Sequence, residues 1–341
     1  MHLAIISTTI RGEKGYLLYD ALASKSKFSK VSFFVTGDLK SLPFDQRRFQ
    51  CDFIYMDAEG QREYFSSQPI GWNRFARRNI ALLRAIESSP DYILTVDDDN
   101  IPSDDYFDKW WEVISRPAEK EAVPIKEGSG SHWHNYLETA DSDILIYPRG
   151  FPIPFRNQKS TRVKPVTELI PPAKIGLFQG ISLGDPDIDA NTRIVYSKPV
   201  PLTSIREKNY CLKDVWSPYN TQNTLFAPVL FPLAFTWPQA GRFEDIYASF
   251  VWQRFLFNNG LYVHVGDAVN FQERGKRDDL RDLGLEVEGY LHGHEVWKEI
   301  SEISEKDALA FIERLIAAQH PIIRREGEFL RAYLEDMRKI T

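Results

Sequence analysis

The stretch Tyr92-Ile93-Leu94-Thr95-Val96-Asp97-Asp98-Asp99-Asn100 constrains this chain more than any other. A β-branched apolar run suits a buried strand, and such a strand gains nothing in packing from three carboxylates at its tip. Carboxylates at alternate positions beyond a strand can converge on one hard divalent cation, and that cation can bridge the diphosphate of a nucleotide. The rival account is an Asp-rich turn that caps the following Pro102-Ser103-Asp104-Asp105, because Asp and Asn favour turns and helix starts. Local spacing leaves both accounts open.

The rest of the chain narrows the choice. Its 341 residues, 43% hydrophobic and 13% aromatic, can fill one large α/β domain or two ordinary ones. A net charge of −6 and a pI near 5.7 argue against a nucleic-acid binder that works through a general basic field. Cys51 and Cys211 have no metal or disulfide spacing and read as reduced, packed thiols. The amino-terminal run Met1-His2-Leu3-Ala4-Ile5-Ile6 is too short for a signal peptide and lacks its basic start. No transmembrane segment is expected either, so the expected location is cytoplasmic.

Taken in order, Leu3 to Thr8 reads as a buried parallel strand, and Thr9-Ile10-Arg11-Gly12 as a turn opening toward a ligand at the carboxyl edge of a sheet. A helix is predicted over Tyr16 to Ala23, and strands over Val31 to Thr36 and Phe53 to Asp57. Between Gly71 and Glu87, Phe75, Leu82, Leu83 and Ile86 recur at helical spacing. Arg74, Arg77 and Arg78 then share another face, either simply solvated or with one of them on phosphate. Phe107 to Trp111 continues as helix, and 127–131 is a Gly/Ser-rich loop. From about 150 to 220 the chain is rich in Pro and poor in periodicity, as in a functional irregular segment or a linker. Glu244 and Asp245 open a helix with Ile246, Phe250, Trp252 and Phe255 available for packing, and Leu261 to Val265 is a further strand. Two amphipathic helices close the chain, carrying Leu309, Ile312 and Ile316, then Phe329, Leu330, Tyr333, Leu334 and Met337; their stripes serve the core or a homo-oligomer contact. The alternation of strand and helix predicts a doubly wound α/β sheet.

Five short motifs follow one another: Ser7-Thr8-Thr9-Ile10-Arg11, Val96-Asp97-Asp98-Asp99, Arg149-Gly150-Phe151-Pro152 with Arg156, Pro186-Asp187-Ile188-Asp189-Ala190, and Gly241-Arg242-Phe243-Glu244-Asp245. In these motifs and their order the chain resembles the reversibly glycosylated polypeptides, the UDP-arabinopyranose mutase family of GT-A glycosyltransferases. The family's corresponding patterns are Pro-Thr-Ile-Arg, Ile-Asp-Asp-Asp, Arg-Gly-Tyr-Pro with a second arginine, Pro-Asp-Tyr-Asp-Ala and Gly-Arg-Tyr-Asp-Asp. One departure is Gln272, where the family places a late histidine.

The resemblance implies a GT-A fold over residues 1–295, that is, a Rossmann-like, mixed but mainly parallel sheet flanked by helices, with a C-terminal helical extension at 296–341. It implies metal-dependent transfer from a nucleotide-sugar donor, uridine-linked, to a carbohydrate or glycan acceptor. Mn²⁺ or Mg²⁺ would be held by Asp97 and Asp99, with Gln272 a weaker third ligand. The expected donor contacts are Thr8, Arg11, Arg77, Arg78, Asp97, Asp98, Arg156, Asp187 and Asp189. Glu244 or Asp245 would act as general base toward an acceptor hydroxyl or bond to the donor sugar, although acidic residues also suit a helix start for its dipole alone. Arg149 stands at the family's reversible glycosylation position, yet a guanidinium is a poor nucleophile while protonated, and a clamp on the diphosphate by Arg149 and Arg156 is the simpler chemistry. His264, on a predicted strand, reads as a packed or surface histidine. Two further functions stay open: a pyranose/furanose mutase with reversible self-glycosylation, and a self-glycosylated, non-catalytic scaffold.

Overall fold

The computed structural model describes residues 1–124, 133–139, 141–142, 144–156, 161–196, 201–266, 269–272 and 277–340. The loop expected at 127–131 and residues 273–274 lie outside them. The strands are β1 (His2–Thr8), β2 (Lys30–Thr36), β3 (Asp52–Met56), β4 (Tyr92–Val96), β5 (Asn100–Pro102), β6 (Ala118–Pro124), β7 (Thr161–Ile170), β8 (Ile175–Gln179), β9 (Ser182–Gly184), β10 (Tyr210–Leu212), β11 (Asn223–Phe226), β12 (Tyr262–Val265) and β13 (Asn270–Gln272). The helices are α1 (Leu17–Ala23), α2 (Ser67–Ile70), α3 (Arg78–Glu87), α4 (Tyr106–Ser115), α5 (Ala190–Tyr196), α6 (Glu244–Asn258), α7 (Asp279–Ser301), α8 (Ala308–Ile316), α9 (Pro321–Arg325) and α10 (Gly327–Ile340).

The main sheet runs β3-β2-β1-β4-β11-β8-β12-β10-β6-β7. Its first four strands are parallel to one another, and antiparallel partners enter from β11 onward, giving a mixed sheet. Strands buried on both faces must be apolar at successive positions, and Leu3, Ala4, Ile5 and Ile6 satisfy this. The period of two then sorts them: Leu3, Ile5 and Phe33 pack with α4 through Tyr106 and Trp110, whereas Ala4, Ile6 and Phe34 pack with α3 through Ile80 and Leu83. The second core continues through α6 into α8 and α10, where Phe235 meets Phe329 and Tyr333. A small sheet, β5-β13-β9, crosses the carboxyl end of β4 and pairs Gln272 with Asn100.

Three sequence expectations are corrected. The helix read from Gly71 to Glu87 begins only at Arg78, because Gly71 and Asn73 both adopt positive φ (73° and 57°) and Arg74 is extended. Residues 150–220 are not an irregular run: they supply β7 to β10 and α5, including the fully buried β8 near the centre of the sheet. The long helix α7 has no counterpart in the sequence reading, and the expected boundary at 295/296 falls inside it. His264 is buried on β12 with its ring 5.6 Å from that of Phe178.

Candidate active site

At the carboxyl ends of β1 and β4 the chain forms a cleft of about 400 Å³. Its lining is drawn from Asn73, Arg74 and Phe75 before α3; Asp97 after β4; Arg149 and Asp187; Gln222 before β11; Gly241, Arg242, Glu244 and Asp245 where α6 begins; and Leu285 on α7. A second cleft of about 290 Å³ shares Asn73, Arg74 and Phe75 and is otherwise lined by Thr8, Thr9 and Ile10 after β1 and by Asp38 and Lys40 after β2. Such a position, beyond the carboxyl ends of parallel strands, is where α/β sheets bind ligands.

The carboxylate turn is held from behind. Arg78, in the first turn of α3, donates through Nη2 to Asp97 Oδ1 and to the Val96 carbonyl (3.0 Å), and through Nη1 to the Thr221 carbonyl (2.9 Å). Burial pushes the Asp97 carboxyl up to about 6; Arg78 opposes the rise, and the neighbouring charges of Asp99 and Asp98 add to it. Asp98 is also raised by burial, but the Thr9 hydroxyl donates to it at 2.6 Å and Arg11 lies 3.8 Å away. The exposed Arg11 reaches Asp99 at 3.4 Å as well. The glycine at 15 brings the backbone of the preceding turn against the Asp98 carbonyl, since a Cβ there would lie 2.1 Å from that oxygen.

The opposite wall is a buried ion triad. Arg149 donates to both oxygens of Asp187, through Nε at 3.2 Å and Nη2 at 2.7 Å, and to Asp245 at 3.2 and 3.3 Å. Burial by itself would lower the Arg149 pKa, but the two carboxylates outweigh it and hold the guanidinium well above its ordinary value. Next to the triad, Glu244 is half-buried, and burial followed by the charge of Asp245 raises its carboxyl well above the usual range against the pull of Arg149. A carboxyl so raised is suited to exchange a proton with a hydroxyl.

The expected site residues therefore divide. Thr8, Asp97, Asp187, Glu244 and Asp245 line the clefts, Arg11, Asp98 and Asp99 form the adjoining turn, and Arg149 joins the wall. Arg77 is corrected: it is wholly buried, donating to Gln61 Oε1 (2.7 Å) and to the Ser67 carbonyl and hydroxyl (2.8 and 2.9 Å), with its guanidinium 4.0 Å from the Trp72 ring centroid. Arg78 is likewise buried and orients Asp97, so it is no donor contact. Arg149 is corrected: four of its five N–H donors are on Asp187 and Asp245, so it serves first as the anchor of those carboxylates, and its tightly held proton disfavours it as a nucleophile. Arg156 pairs at 3.0 Å with the wholly buried Asp189, which also accepts from the Thr192 backbone and hydroxyl at the start of α5; this pair fixes the segment and lies outside the lining of both clefts. Gln272 is buried, and its Oε1 accepts from Gln222 Nε2 at 2.8 Å, which turns that oxygen from an ion to a neighbouring amide. The sequence does not single out Asn73, Asp38, Lys40 or Gln222 as lining residues, offers Phe75 only for packing, and leaves open which of Arg74, Arg77 and Arg78 meets phosphate; of the three, Arg74 lines the clefts. Only Asp38, in the turn that closes β2, carried a signal.

Asp97 and Asp99 are hard oxygen donors near a polar cleft, which fits Mg²⁺ or Mn²⁺ provided that phosphate and water supply most of the shell. Among the described residues no third His, Cys, Asp or Glu joins them within 4.8 Å.

A scan against protein-family models finds no match, and neither does a search of curated proteins. Among solved structures the chain is similar to TarS of S. aureus, residues 1–349, in complex with UDP-GlcNAc, at 12% identity and a TM-score of 0.35, covering 99% of this chain and 92% of that one. It is also similar to S. aureus TarS at 12% identity and a TM-score of 0.34, where it covers 100% of this chain and spans 55% of the other.

Proposed function

We propose that this chain is a glycosyltransferase that takes a nucleotide sugar, uridine-linked, as donor. The observation that carries the reading is the pair of clefts meeting at Asn73–Phe75, one beside the Asp97–Asp99 turn and the other beside Asp38 and Thr9. A nucleoside fits the smaller cleft and a sugar the larger, with the diphosphate at their junction. Asp97 and Asp99 would hold Mn²⁺ or Mg²⁺, and the ion would supply positive charge to the departing diphosphate. Arg74, exposed and shared by both clefts, replaces Arg77 and Arg78 as the arginine that meets phosphate.

In the reaction the bond from the anomeric carbon to the phosphate oxygen breaks, and its electron pair leaves with the nucleoside diphosphate. An acceptor hydroxyl oxygen bonds to that carbon and gives up its proton. Glu244, whose raised pKa makes it an effective base when ionised, would take it. Asp187 and Asp245, fixed by Arg149, present oxygens to the sugar hydroxyls. The buried, doubly paired state of Arg149 speaks against the self-glycosylated readings, because a nucleophile must first lose its proton.

The test is a panel of nucleotide sugars with Mn²⁺ or Mg²⁺ and a set of carbohydrate acceptors, followed by mass spectrometry of products and protein. The expected result is transfer from one donor class, lowered at least about a hundredfold in Glu244→Gln, which removes a general base. Absence of both binding and turnover across the panel would overturn the proposal, as would stoichiometric sugar on the intact protein with no free product.

A further inference from the structure

Outside the clefts, two turns of α7 and the start of α9 bring His292, Glu295 and His320 together. One ligand atom from each lies within 4.8 Å of the other two. Glu295 Oε2 is 3.3 Å from His292 Nδ1 and 3.5 Å from His320 Nε2. Both separations exceed the usual N–H···O range of about 2.7–3.2 Å, so as hydrogen bonds they are poor. They instead match the edge of a tetrahedron with bonds of about 2.0–2.1 Å, whose ligand atoms stand about 3.4 Å apart.

We infer that His292, Glu295 and His320 form a divalent-cation site of the zinc class, with a fourth position open to water. The site is built before the ion arrives. His292 and Glu295 are one helical turn apart, and the Glu299 carboxylate accepts from the backbone of Gln319 (2.6 Å) and His320 (2.8 Å), which fixes the loop that carries the third ligand. His320 must adjust: Ile322 N–H donates to its Nδ1 at 3.3 Å, which leaves the ring proton on Nε2. A cation on Nε2 moves that proton to Nδ1 and gives up this long cap. Two imidazoles and a carboxylate favour zinc, cobalt or copper over the magnesium or manganese that suit an all-oxygen set, so the site is chemically separate from the carboxylate turn. It does not rest on the transferase reading.

The test uses the full chain and Co²⁺ as the probe, titrated in excess Mg²⁺ so that hard-oxygen sites are occupied. The expected result is the intense visible absorption of tetrahedral Co²⁺ at one equivalent, bleached by Zn²⁺ and retained in Asp99→Asn. His292→Ala and His320→Asn should each weaken binding by at least about tenfold, and asparagine at 320 keeps a helix-capping oxygen so that folding is preserved. Melting curves without metal check that the variants are folded, and Zn²⁺ should raise the melting temperature of the parent and of Asp99→Asn more than that of either histidine variant. Absence of the tetrahedral signal, its survival in His292→Ala, or its loss in Asp99→Asn would overturn the inference.

Discussion

Arg74, Arg77 and Arg78 show how far one residue type can diverge over five positions. The sequence places them together on a helix face; the left-handed Asn73 leaves Arg74 in extended backbone beside the clefts and turns the other two inward. Nothing in their spacing announces this, because the decision is made by two positive φ angles upstream. The aspartates were more legible. A carboxylate turn after an apolar strand has few packing uses, whereas the Arg149 triad and the Arg156–Asp189 pair depend on partners 38 and 33 residues away or more. Glu326 was not legible at all. It is wholly buried, accepts from Gln239 N at 2.9 Å, and burial pushes its carboxyl from 4.5 to about 8, against the pull of that N–H, Arg325 and Arg74. The native state keeps a proton that the unfolded chain releases, so the contribution of Glu326 to stability is greatest below pH 4.5 and is lost as pH rises through about 8. At neutral pH the loss is on the order of 3 kcal/mol, at about 1.4 kcal/mol per unit. Glu326→Gln is expected to be more stable than the parent near pH 7 by that order and equal to it near pH 4.5, as read by denaturant unfolding. Parallel pH profiles would refute this.

At the level of elements, the first four strands were readable because each is a short β-branched or aromatic run between turn residues. β8 was not, since Ile175-Gly176-Leu177-Phe178-Gln179 follows a proline-rich stretch and has no alternation, being buried on both faces. α7 escaped for the opposite reason. Its Leu280, Leu285, Val287 and Leu291 are exposed while Glu286 and Gly289 are buried, so its hydrophobic stripe does not mark its packed side. Glu286 is held there by Arg242 at 3.1 Å, Tyr290 at 2.9 Å and the Ala190 backbone at 2.9 Å, a polar anchorage that periodicity cannot reveal. A tighter contact lies at the single-turn helix Glu13–Tyr16, whose Tyr16 hydroxyl reaches Ser7 at 2.9 Å. Gly15→Ala would drive a methyl into the Asp98 backbone, which cannot rotate aside. The expected outcome is a stability loss of about 1–3 kcal/mol together with weaker donor binding, measured by denaturation and donor titration. An unaltered affinity would show that the carboxylate turn is not set from this side.

Across the whole molecule, the mixed α/β class was readable from strand and helix alternation, but the division at 295/296 was drawn where the chain is continuous helix. The C-terminal helices share one core with the sheet: Phe311, Leu315, Phe329, Leu330, Tyr333 and Met337 pack in the same cluster as Ile80, Leu83 and Phe235. Each large apolar side chain so buried contributes about 1.5–3 kcal/mol. Asp336 also accepts from the backbone of Phe65 and Ser66 at 2.8 Å. A chain cut after residue 295 is expected to lack a cooperative melt in calorimetry; a sharp transition near that of the full chain would refute the shared core.

No helix among the described residues is long and apolar enough to cross a membrane. Of the eight tryptophans, Trp110, Trp133, Trp237 and Trp252 are sealed in the interior, far from any change at the surface. Trp72 differs: it is half-buried on the Arg77 guanidinium and immediately precedes Asn73, Arg74 and Phe75, the segment shared by both clefts. Its indole is thus a native fluorophore attached to the one stretch that a ligand spanning both clefts must touch, and its emission gives a label-free optical signal of occupancy.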